Sequence, residues 1–176
     1  MKILIINSCC GLRSTGRICV ELAEAFEEGH NSVKIAYGRL SVPNKYKKYA
    51  IRIGNSLTKY ISAFKSRILD NDGFNCKSET KKFLKWANDF NPDVLWLHNL
   101  HDHYINVELL FNWIKTRPNM EVKWTLHDCW SFTGHCSYFD YVKCDKWKNH
   151  CKKCPQKHSA PKSLLFDNSY NNFSKK

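Results

Sequence analysis

The sequence predicts an α/β fold, a Rossmann-like doubly wound parallel sheet, and three observations carry that expectation. Short apolar runs, "KILII", "VKIAY", "DVLWLH" and "EVKWTLH", alternate with stretches of helical periodicity. The first run passes through a glycine-bearing loop straight into a helical pattern, and polar residues, Asn7, His98 and His127, stand where runs end. Such alternation builds right-handed crossovers, whose ligands bind beyond the carboxyl ends of the strands.

Taken in order, Lys2 to Asn7 reads as a buried parallel strand. Thr15 to Glu28 puts Ile18, Val20, Leu22, Ala25 and Phe26 at helical spacing with acids on the other face, and Gly29 stops it. Val33 to Tyr37 is a second strand. In "KYKKYAIRIGNSLTKYISAFKSRIL", Tyr46, Tyr49, Ile53, Leu57, Tyr60, Ile61, Phe64 and Ile68 fall at helical spacing among lysines and arginines. That pattern predicts a long basic helix whose apolar face packs on the core or lies on an anionic membrane surface. The helix "TKKFLKWANDF" leads through Asn91-Pro92 into the strand "DVLWLH", "INVELLFNWIK" is helical, "EVKWTLH" is a fourth strand, and a last helix starts near Ser163. No repeat or linker divides residues 1–176, so one domain is expected.

Composition bounds the function. With 176 residues, 43% hydrophobic and 14% aromatic, the chain is too apolar for disorder and long enough for a core. The formal net charge of +12 favours an anionic partner: nucleic acid, a nucleotide or phosphorylated sugar, or an anionic membrane. The start "MKILIINSCCGL" has too short an apolar run for a signal peptide, and no later run approaches the roughly 20 residues of a membrane span, so a cytoplasmic location is expected. Nine cysteines in a reducing compartment read as free thiols or metal ligands.

The opening loop fails two nucleotide signatures. Gly11-x4-Gly16 has Walker A spacing, but Arg17 and Ile18 stand where Lys and Ser/Thr are required, and G-x-G-x-x-G is absent. What remains is a small-residue loop, Ser14-Thr15-Gly16, that lets backbone approach a ligand at a helix N-terminus, or a plain strand-to-helix turn. The second constellation is "LWLHNLHDHYIN" with "WTLHDCWSFTGHC". It brings His98, Asn99, His101, His103, His127 and Asp128 to one rim of the sheet, where such groups suit sugar hydroxyls or phosphate. No G-x-S-x-G elbow accompanies His127, which argues against a serine hydrolase. The third is the cysteine-rich loop 129–158, in which Cys136, Cys144, Cys151 and Cys154 could close a tetrahedral zinc site, although only the last two form a C-x2-C. Cys9, Cys10, Cys19, Cys76 and Cys129 read as small core or loop residues.

Across "KILIINS…STGRICVELAEAF…GHNSVKIAYGR", "NPDVLWLHNLHDHYINVELLFNWIK" and "WTLHDCWSFTGHCSYFDYVKCDKWKNHCKKCPQ…PKSLLFDNS", the chain resembles the N-terminal half of bacterial family 4 glycosyltransferases of capsular, exopolysaccharide or colanic-acid-type synthesis. The resemblance implies a two-domain GT-B architecture of facing Rossmann-like halves. It also implies retaining transfer from a sugar nucleotide to a glycan or lipid-linked acceptor, with no cofactor or metal required for catalysis. It would set the loop at Ser14, Thr15 and Gly16 beside the donor diphosphate, His127 and Asp128 beside the donor sugar, and His98, Asn99 and His101 on the acceptor side. The donor half would be supplied in cis or in trans, and the enzyme would sit at the inner face of the membrane. Two rivals remain. One is a basic zinc-bearing nucleic-acid module stacking bases on Tyr138, Tyr141 and Trp147 beside Lys143, Lys146, Lys148, Lys152 and Lys153. The other is a non-catalytic glycan-binding remnant.

Overall fold

The computed structural model describes residues 1–176. Five parallel strands form the sheet: β1 (Lys2–Ile6), β2 (Ser32–Tyr37), β3 (Ala50–Arg52), β4 (Val94–Leu97) and β5 (Glu121–Trp124). Their spatial order is β3-β2-β1-β4-β5. The chain leaves β1 toward one edge and returns to β4 on the other side, so the topological switch point lies between β1 and β4. The helices are α1 (Arg13–Glu28), α2 (Ser56–Leu69), α3 (Lys77–Phe90), α4 (Val107–Lys115) and α5 (Ser169–Lys175).

Alternation of side chains along each strand feeds two cores, one on each face. Ile3, Ile5, Val33 and Ile35 meet Cys19, Val20 and Ala23 of α1 on one side. Leu4, Ile6, Leu95 and Leu97 meet Phe83, Leu84 and Ala87 of α3 and Leu110 and Trp113 of α4 on the other. Helices on both faces make the sheet doubly wound, as the alternation of runs implied. Asn106 caps α4 by accepting from the Leu109 N–H at 3.0 Å, and left-handed Asn91 closes α3 just before Pro92.

Four local expectations are corrected. The basic segment is not one helix. A short 3-10 turn (Asn44–Tyr46) and the edge strand β3 precede α2, because Gly54 at φ +68 and the Asn55–Thr58 capping box start a new helix there. Nor does α2 pack its apolar stripe on the core: Ser62 and Ser66 are its buried residues, while Leu57, Tyr60, Ile61 and Phe64 are exposed. Ser14, Thr15 and Gly16 lie inside the first turn of α1 rather than in a loop, since the chain turns earlier, through left-handed Gly11 and Arg13. The last helix begins at Ser169, because residues 164–166 are tied to the end of α2, Leu164 and Phe166 donating to the Arg67 and Ile68 carbonyls.

Candidate functional site

Residues from four strand ends converge on one rim. Asn7 follows β1 and is fully buried. Its Nδ2 donates to the Cys9 carbonyl at 2.8 Å and to Thr15 Oγ1 at 3.3 Å, while its Oδ1 accepts from the Asn99 N–H at 3.3 Å. Asn7 therefore spans the β1/β4 switch point and fixes the start of α1 at once. The approach is close at Gly16, where a Cβ would lie 3.2–3.3 Å from Cys9 sulfur and backbone atoms. Leu12 supplies no capping side chain and no acid occupies the first turn, so the uncapped N–H groups of α1 border the rim. Ser14 is exposed beside them, whereas Thr15 is engaged with Asn7.

His98, immediately after β4, is 2% exposed. Its Nδ1 lies 2.9 Å from Nε2 of His127, and the two rings stack at 5.1 Å. Burial, with His127 adding to it, pushes His98 down to about 4, and burial lowers His127 too. Both rings are neutral at pH 7, so one donates to the other. Nε2 of His98 is buried without a partner. An orphaned ring nitrogen costs about 1–3 kcal/mol, which marks the position as one kept for something other than stability.

Beside this neutral pair runs a charged chain. Arg39 contacts Asp102 at 2.6 Å, Asp102 lies 3.6 Å from His101 Nδ1, and His101 Nε2 lies 2.7 Å from Asp128. Burial opposes charge on His101, yet the two carboxylates outweigh it and raise its pKa to about 10. Burial likewise works against Asp102 and Asp128, and His101 with Arg39 or the Trp130 N–H holds both below the usual carboxylate range. Behind the chain, buried Asp72 accepts from the Asp102 N–H at 3.1 Å and the His103 N–H at 3.0 Å, and its carboxylate lies 2.9 Å from His103 Nδ1. That grip holds Asp102 and His103 at φ +86 and +65, a left-handed pair that non-glycine residues rarely adopt.

The structure thus brings together His98, Asn99, His101, His127 and Asp128, with the first turn of α1 across the switch point. It adds Arg39, Asp72 and Asp102, to which sequence reasoning gave no role. Arg39 sits two residues past β2, and the strand-end rule that selected His98 would have selected it. Asp72 lies between α2 and α3 and carries no local signal. The space between His98, His101, His127 and Trp130 holds only ≈ 10 Å³ and is open to solvent. A wider concavity, ≈ 460 Å³, lies elsewhere, between α2 and the start of α3. The rim is consequently an open surface rather than a closed cleft. In the cysteine-rich loop, Trp147 packs against Phe139 and Phe132 at 5.1 and 5.4 Å.

No family model matches the chain, and no solved structure matches it. A stretch of 74 residues is 36% identical to a protein of Escherichia coli (strain K12) described as "Putative colanic acid biosynthesis glycosyl transferase WcaC". That stretch is glycosyltransferase-like. It covers 40% of this chain and 18% of the relative, so the chain spans only a small part of that protein's length. The α/β sheet with helices on both faces agrees with such a region.

Proposed function

We propose that this chain forms the acceptor-side half of a retaining, GT-B-type family 4 glycosyltransferase of surface polysaccharide synthesis. The observation that carries the reading is the meeting of Asn7, His98, His101, His127 and Asp128 at the carboxyl ends of β1, β4 and β5, across the switch point. The likeness to WcaC supports it. In this reading the donor is a sugar nucleotide and the acceptor a glycan or lipid-linked glycan. The facing donor half completes a rim that is open here.

The roles follow from the electrostatics. Neutral His127, steadied by His98, offers a ring hydrogen bond to a donor-sugar hydroxyl without adding a charge that would compete with the departing diphosphate. The uncapped first turn of α1, with Ser14 exposed and Gly16 allowing close approach, faces the diphosphate where negative charge grows as the glycosidic bond breaks. Asp128 keeps His101 cationic, and Asp102 with Arg39 fixes its orientation toward the acceptor side. No residue here has to carry a metal for that chemistry.

A membrane-surface location belongs to the same reading. No helix is long and apolar enough to cross a membrane. The exposed stripe of α2, however, stands among Lys59, Lys65 and Arg67, a composition that suits an anionic leaflet holding a lipid-linked acceptor. Titrating the isotopically labelled chain with sugar nucleotides and a lipid-linked glycan should shift amide signals at residues 7–16, 98–103 and 127–128. Shifts confined to residues 138–154, produced by single-stranded DNA instead, would replace this reading with the nucleic-acid one.

A further inference from the structure

The segment from Cys129 to Asn168 is built unlike the rest of the molecule. It contains only two 3-10 turns, Asp140–Val142 and Lys146–Lys148, and its fully buried apolar residues are Trp130 and Cys136 alone. Yet it holds a defined path. Cys136, Cys144, Cys151 and Cys154, separated by up to 18 positions, all line one small cavity of ≈ 10 Å³ together with His135. None is in a disulfide.

Several features aim these groups inward. Lys143 and Lys153, each directly before a cysteine of the set, are left-handed at φ +49 and +46. Such a twist at a non-glycine residue persists only where its surroundings require it, and here it turns Cys144 and Cys154 toward the cavity. Lys146 clamps the C-x2-C turn by donating to the Lys152 and Lys153 carbonyls at 3.1 and 2.9 Å. The independent observation is His135. It is 2% exposed, its Nδ1 is held by Asp70, and its Nε2 is buried at this cavity with no hydrogen-bond partner. A buried imidazole held by a carboxylate, with its other nitrogen unpaired beside a thiol-lined cavity, is a polar group whose partner is still to be supplied there.

We infer that Cys136, Cys144, Cys151 and Cys154 bind one structural zinc ion as thiolates, with His135 alongside as a polar partner of the sulfurs. As the side chains stand, no group of three or more metal-binding residues is drawn to ligand positions, so binding requires the thiols to rotate inward and release their protons. Zinc with four thiolates carries two negative charges, and Lys143, Lys146, Lys148, Lys152 and Lys153 supply the compensating cations around it. The ion would staple a segment whose own aromatic cluster, Phe132, Phe139 and Trp147, is only partly buried, and fix the chain just after Asp128.

The test uses the full chain purified without chelators. Elemental analysis should find about one zinc per chain, and chelation should lower Tm by on the order of 10 °C. Replacement by cobalt should give the thiolate charge-transfer and tetrahedral ligand-field bands, a readout that survives even where a cysteine variant folds poorly. Cys144→Ser and Cys151→Ser should lose the metal, while Cys76→Ser and Cys129→Ser keep it. A metal-free chain whose Tm ignores chelators and which gives no cobalt–thiolate bands would overturn the site. So would retention of zinc by both Cys144→Ser and Cys151→Ser, and loss in His135→Ala but not Cys136→Ser would overturn the four-thiolate ligand set.

Discussion

Helices α2 and α3 are both fourteen residues long and both amphipathic, yet they use their apolar faces in opposite ways. In α3 the apolar side, Phe83, Leu84 and Ala87, lies buried against the sheet. In α2 the small polar side, Ser62 and Ser66, is buried, while Leu57 and Phe64 are 68% and 66% exposed. Three segments hold α2 in place without using its stripe: Asp70 at its end accepts from the Asn168 N–H at 2.8 Å, Asn75 donates to Ser66 at 3.0 Å, and residues 164–166 run beside its last turn. The difference teaches that periodicity locates an apolar face without saying what covers it. For α3 the cover is this chain's own sheet; for α2 the exposed stripe is available to a surface outside the chain.

The contrast is most easily broken by truncation. Phe83→Ala should cost about 3–5 kcal/mol in denaturant unfolding, through lost burial and the cavity left behind. Phe64→Ala should change stability by no more than about 0.5 kcal/mol. Equal losses would mean that the α2 stripe is packed in solution, and the reading of α2 as a docking face would fail.

Vesicle binding sharpens the same contrast. If the stripe meets an anionic leaflet, Lys59→Gln with Lys65→Gln should weaken association with anionic vesicles about tenfold or more, each cation contributing roughly 1 kcal/mol near the surface. Phe64→Asp should weaken it further, and added salt should mimic the charge changes. Lys81→Gln on exposed α3 surface should have little effect. Binding to neutral vesicles as tight as to anionic ones would remove the electrostatic part.

A smaller effect separates two neighbours within the rim. His98 has its folded pKa pushed down to about 4, so the unfolded chain takes up more protons between that value and its usual range near 6.5. Its contribution to stability is therefore lost as pH falls through that window. His101 is raised to about 10, so its contribution is full below about 6.5 and is lost as pH rises toward 10. Unfolding followed against pH should show an acid arm that flattens in His98→Asn and an alkaline arm that flattens in Asp128→Asn. Identical profiles for wild type and both variants would contradict the charge states assigned to the rim.

Much of this was legible in the sequence where a local pattern decides the structure. The strands β1, β2 and β4 are largely apolar runs and β5 continues the alternation, and a parallel sheet places their ends together, which sets His98, His101 and His127 at one rim. The short edge strand β3 was hidden because Ala50–Arg52 sits among tyrosines and lysines whose spacing also suits a helix. Asp72 was illegible as a site residue because its importance lies in partners far along the chain, 30 and 31 residues away in the backbone groups that it holds. The start of α1 was misplaced by two residues because a left-handed arginine, Arg13, took a conformation that sequence rules reserve for glycine.

The reading of the rim is tested most directly by sugar transfer with the donor half supplied, fused to this chain or added in trans. Transfer of a labelled sugar from a sugar nucleotide to a lipid-linked glycan should then appear, while this chain alone should give none. In the assembled enzyme His127→Ala should lower kcat/KM by about 10²-fold, the scale of a lost hydrogen bond to a site of developing charge. His30→Ala should leave the rate within about twofold, since His30 follows α1 at the opposite end of the sheet. Full transfer by the isolated chain, or an assembled enzyme that loses no more from His127→Ala than from His30→Ala, would contradict the assignment of this rim as the reacting face.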